Sequence, residues 1–182
     1  LADGGLSAES LGTVPAEVAL SDLWVARLEE SRSVAGTWLH DLLLGIAALD
    51  RGQVDKARYL FARSTAVRPS WLALRQQALV AETADLTEQF YLRAWQAADA
   101  PDELAAEIAQ FLLTEGRLDA LTRFVAGLPD RAAAQERILL ARASIAARQG
   151  DLDELERLLK TEFATIREGE LLTVDLWNAL QK

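Results

Sequence analysis

The stretch RQGDLDELERLL, Arg148 to Leu159, ends one apolar periodic segment at Gly150 and opens another two residues later. Two similar phrases stand upstream, DRGQVDKARYLF from Asp50 and TEGRLDALTRFV from Thr114. Each sets a glycine two residues before a branched apolar residue. Aligned on that feature, Gly52, Ala84, Gly116 and Gly150 are separated by 32, 32 and 34 residues. An aspartate follows the branched residue at Asp55, Asp119 and Asp153, and Thr87 takes its place in the second register. Pro69 and Pro101 keep the same offset from Gly52 and Ala84. A fixed period of this length marks a repeat architecture.

Before these hinge positions lie TWLHDLLLGIAALD, SWLALRQQALVAET, DELAAEIAQFLLTE and AQERILLARASIAARQ, with apolar residues at intervals of three and four. That period belongs to amphipathic helices. Glycine ends a helix cheaply because it adopts the left-handed conformation without a Cβ clash. The following aspartate suits the positive start of the next helix and can accept from its free N–H groups. Prolines at 69, 101 and 129 end second helices or open the next unit. A pair of helices cannot bury its apolar stripe alone, so neighbours must stack.

The pattern predicts an all-α fold: about four antiparallel helix hairpins stacked as a right-handed α-solenoid, with a capping helix at each end. Residues 1–15, LADGGLSAESLGTVP, form a flexible lead-in, and 16–182 form one helical-repeat domain. Within it the boundaries are an N-terminal helix over 21–32, repeats over about 37–69, 70–100, 102–129 and 131–163, and a last helix over about 172–181. Leu20, Trp24 and Leu28 share a face of the first helix. Leu172, Leu176, Trp177 and Leu180 are spaced to cover the final unit. The chain starts at Leu1 and has no methionine, which reads as a piece of a longer or processed product.

In Trp38 to Trp71 the chain resembles the tetratricopeptide repeat family. Leu44-Gly45 stands where the first helix of that family carries its Leu-Gly pair. Gly52 falls at the turn, Ala57, Phe61 and Ser64 at the packing positions of the second helix, and Pro69 at the close. Ala109, Leu121 and Val125, then Ala143, Leu155 and Leu159, keep the spacing in the later units. The second unit departs most, with Ala84 at the turn and Gln77 at a small-residue position. The closing IREGELLTVDLW also resembles the endings of large bacterial repeat proteins with an N-terminal β-rich, sugar-enzyme-like region.

Chemistry is sparse. His40 is the only histidine and there is no cysteine, so triads, His-based or Cys-based metal sites and disulfides are excluded. His40 reads as a structural residue. The acids from Asp151 to Glu170 read as a solvated face rather than a paired-carboxylate site. Trp24, Trp95 and Trp177 sit at apolar helix positions, where core packing is the default. A net charge of −9 opposes sequence-independent nucleic-acid binding. No apolar run is long enough to span a bilayer. The expectation is a cytoplasmic protein that is not an enzyme and carries no cofactor and no metal.

The tetratricopeptide resemblance implies a protein or peptide partner on the concave face, lined by first helices. Its contact positions transfer to Leu39, Leu42 and Ile46; to Trp71, Leu74 and Ala78; to Glu103, Ala106 and Gln110; and to Arg137, Leu140 and Ser144, with Arg148 at the rim. Trp71, Leu74, Gln110, Arg137, Ser144 and Arg148 are the candidate binding residues. Two alternatives stand beside this one. The apolar first half of the groove can be filled by the N-terminal segment of the chain itself. The chain can also be an accessory or dimerisation domain of an upstream enzyme, which leaves a homodimer open.

Overall fold

The computed structural model describes residues 21–35, 37–160 and 176. Among these, every regular element is a helix: α1 Asp22–Ala35, α2 Trp38–Asp50, α3 Val54–Val67, α4 Trp71–Leu79, α5 Ala84–Trp95, α6 Glu103–Thr114, α7 Leu118–Ala126, α8 Asp130–Ala133, α9 Glu136–Gln149 and α10 Leu152–Leu159. The chain is all-α over the described residues. It divides into two compact units, Leu1–Ala100 and Pro101–Lys182. The lead-in over 1–15 and the last helix over 172–181, Leu176 excepted, lie outside the described residues.

In the first unit α2 pairs with α3 and α4 with α5, while α1 packs on α2. Ten consecutive residues of α2, Leu39 to Ala48, are buried. A helix apolar on all sides needs cover on all sides. One side is taken by α3: the missing side chain of Gly45 makes room for the Phe61 ring, which a Cβ there would meet at 2.5 Å. Ala57, Phe61 and Ser64 are all buried, and the Ser64 hydroxyl donates to the Trp38 carbonyl at 2.8 Å. The cluster extends through Leu28 of α1 and Leu72, Ala73 and Val80 of the next pair.

The second unit pairs α6 with α7 and α9 with α10, and α6 also packs on α9. Leu140, Ala143, Ala146, Leu155 and Leu158 form one cluster, and Leu176 is buried in it. The predicted cover over this pair is thus seen at Leu176; Leu172, Trp177 and Leu180 lie outside the described residues.

The glycine hinges have the expected conformation, with φ of +71° at Gly52, +66° at Gly116 and +73° at Gly150. No heavy atom other than chain neighbours lies within 4 Å of a Cβ built on any of them, so backbone conformation alone selects glycine there. Three expectations need correction. Ala84 is not a turn residue but the first residue of α5, because Thr83 caps that helix, accepting from the Leu86 N–H at 3.3 Å. Asp55, Asp119 and Asp153 occupy the first turns of α3, α7 and α10 but make no cap; the α10 cap is Asp151, which accepts from the Glu154 N–H at 3.1 Å. Finally, α8 is an extra turn of helix after Pro129, too short to leave a periodic signal.

Candidate interaction surface

Of the six candidate residues, four keep access to solvent. Trp71 opens α4 just after the Ser70 cap, half-buried, with its inner side against the core of the first unit. Gln110 is exposed on α6, its amide donating to the Thr114 hydroxyl at 3.1 Å. Arg137 and Arg148 are exposed near the two ends of α9. Their separation of 11 residues is about three helical turns, which returns them near one face.

The other two require correction. Leu74 is 2% exposed and Ser144 4%, and the Ser144 hydroxyl donates back to the Leu140 carbonyl at 2.9 Å. Both face the core, so neither meets a partner on an intact surface. Leu39, Leu42, Ile46, Ala78 and Leu140 are buried as well. The transferred positions assume a helix with one open side, whereas α2 is enclosed all round. Trp24 departs in the opposite direction. It is 58% exposed with Leu23 beside it, and α1 buries Leu28 instead.

Arg142 donates to Glu154 of α10 at 2.7 Å, and Arg157 holds the same carboxylate through both oxygens at 2.7 Å. Hydrogen bonding to Arg157 is the largest influence and holds the Glu154 carboxyl below the usual range; burial opposes it, and the charge of Arg157 with the bond to and charge of Arg142 reinforce the lowering. Arg142 and Glu154 border a cleft of about 420 Å³ walled by Val125, Leu128, Ile145 and Ala146. In the same unit, Arg131 pairs with Asp102 at 2.6 Å and Gln135 donates to the Asp102 carbonyl at 2.7 Å, beside Arg137.

His40 is a structural residue of more consequence than its isolation in the sequence indicates. It is 4% exposed. Its Nδ1 accepts from the Thr37 N–H at 3.3 Å and lies 2.8 Å from the Thr37 hydroxyl, and its Nε2 lies 3.1 Å from the Ser31 hydroxyl of α1. Sequence offered one signal for this arrangement, the Thr37 to His40 spacing of a capping box. The Ser31 partner is nine residues away on another helix and has no local signature.

Among the described residues, no three histidine, aspartate or glutamate side chains gather as metal ligands, and no helix is long and apolar enough to cross a membrane. No protein-family model matches the chain, and no curated protein matches it.

Proposed function

We propose that the chain is a protein–protein interaction module, a tetratricopeptide-like array of about four helix hairpins wound as a right-handed α-solenoid that holds a peptide, a helix or a neighbouring domain. The observation that carries this is the accessibility, within the second unit, of Gln110, Arg137 and Arg148 on α6 and α9, the first helices of successive pairs; in the first unit, taken by itself, Trp71 on α4 is half-buried. A half-packed tryptophan is a rigid anchor of the kind interfaces favour. Exposed guanidinium groups can fork to carboxylates on a partner. On this reading a partner of the second unit offers acidic groups to the two arginines, and Trp71 is an apolar anchor of the first unit.

The test is a pull-down with the intact protein against an Arg137→Glu/Arg148→Glu double variant. A partner retained by the parent and lost by the variant, more completely at low salt, supports the surface. Equal retention removes α9 from it.

A second reading has its own observation. Leu23 and Trp24 are large, apolar and exposed side by side on α1. Such a pair fits an accessory or dimerisation domain, whose contact runs through α1. Light scattering of the parent and of a Leu23→Glu/Trp24→Glu variant distinguishes them: a dimer that the variant abolishes favours this second reading.

A further inference from the structure

A part-buried polar link between α1 and α2 runs through the one histidine of the chain. The Thr37 N–H can only donate, so Nδ1 of His40 must be the acceptor and the ring proton sits on Nε2. That proton points to the Ser31 oxygen, whose own hydrogen goes to the Leu28 carbonyl at 3.2 Å. The chain of donors and acceptors is complete only for the neutral ring. We propose that His40 is a proton-operated latch: neutral, it clasps α1 to α2, and on protonation it releases α1 and uncovers the part of α2 on which Leu28 packs.

A second ring proton would change the site in three ways. It would face the Thr37 N–H, removing the acceptor of the α2 capping box. It would place a buried cation in an apolar cluster. It would also add positive charge to the first turn of a helix, the positive end of its dipole. The Thr37 hydroxyl can turn to accept from the protonated ring, but the backbone N–H cannot.

The charged groups around this end of α2 do not supply a free counter-ion. Asp41, next in sequence and buried, pairs with Arg63 of α3 at 3.4 Å. Arg68, following α3, lies 4.8 Å from the Trp38 ring and adds positive charge. On α1, Glu29 pairs with Lys56 of α3 at 3.3 Å and Asp22 with Arg51, while Arg27 and Glu30 are exposed. Arg58 of α3 is held by Asp55 and Glu82, and α4 contributes the half-buried Arg75. The ion pairs of α1 are exposed, where such pairs contribute little.

Hydrogen exchange of the α1 amides, corrected for intrinsic rates, tests this at pH 7.5 and 5.5, the interval in which imidazoles take up protons. Protection of α1 relative to α3 is expected to fall about tenfold in the parent and to stay level in His40→Gln, which keeps a neutral cap at the same position. Unchanged protection in the parent, or an equal fall in His40→Gln, overturns the latch. A Ser31→Ala variant, which leaves the cap intact, covers the case where His40→Gln does not fold. Its α1 should be loosened already at pH 7.5 and respond less to acid; full protection at pH 7.5 overturns the proposal. The exchange readout needs no partner, so its failure is separate from that of the interaction module.

Discussion

At the end of α2 the Gln53 N–H reaches back to the Ala48 carbonyl at 2.9 Å and the Gly52 N–H to Leu49 at 2.8 Å. At the end of α4 the backbone closes in shorter turns, from the Val80 N–H to Gln77 and from the Ala81 N–H to Ala78, both at 3.3 Å. Arg58 of α3 adds a side-chain bond to the Val80 carbonyl at 3.1 Å. The first turn is made by backbone and needs only a residue that tolerates positive φ. The second combines backbone bonds with a side chain from α3, and needs no glycine. The backbone wrap recurs in the second unit, from Arg117 to Leu112 at 2.8 Å and from Asp151 to Ala146 at 2.9 Å. Two chemistries therefore satisfy the same orphan carbonyls of a helix end.

The comparison can be sharpened by substitution, beginning with the packing both hairpins depend on. Phe61→Ala empties the space between α2 and α3 and is expected to cost about 3–5 kcal/mol in denaturant unfolding. A loss below about 1 kcal/mol would mean that the Gly45–Phe61 contact does not govern this pair. Next, Gly52→Val forces a β-branched residue to positive φ and should cost roughly 1–3 kcal/mol. The same change at Ala84, in the first turn of α5, should cost only about 0.5 kcal/mol, the propensity difference. Similar losses at both sites would break the distinction between the two turns. Thr83→Ala removes the α5 cap at about 1 kcal/mol, with thermal unfolding as the readout.

The smallest effect belongs to the link between α9 and α10. The Glu154 carboxyl is held low by Arg157 and Arg142, so its contribution is present above the ordinary glutamate range and is lost as pH falls through the lowered value. Above about pH 5 the parent should exceed Glu154→Gln by about 0–1 kcal/mol, and acid titration below that should bring the two together once the carboxyl is protonated. Curves that coincide across the whole range would show the pair to be energetically silent.

Much of the fold was legible because its rules are local. Glycine at Gly52, Gly116 and Gly150, with apolar intervals of three and four on either side, fixes helix, turn and helix without reference to anything distant. The α4–α5 turn was misplaced by two residues because its satisfaction comes partly from Arg58, which lies 22 residues from Val80. Surface assignment failed for a related reason. Leu74 and Ser144 hold positions that are open on a helix with one free side, and which sides are free is decided by neighbours. Trp24 was placed in the core on hydrophobicity, yet α1 meets α2 through Leu28 and Ser31 and leaves its tryptophan outside. The contact of His40 with Ser31 joins two helices and carries no local spacing.

The enclosed α2 also bears on how the chain is made. A span of ten buried residues is a hazard for a nascent chain, since exposed apolar surface invites aggregation. Synthesis runs from the N-terminus, so α1 leaves the ribosome before α2 does. At roughly 5–20 residues per second, α3 with Phe61 follows within a few seconds. The helix that clasps α2 is thus already waiting when α2 emerges, and it can act as a built-in escort until the permanent partner arrives.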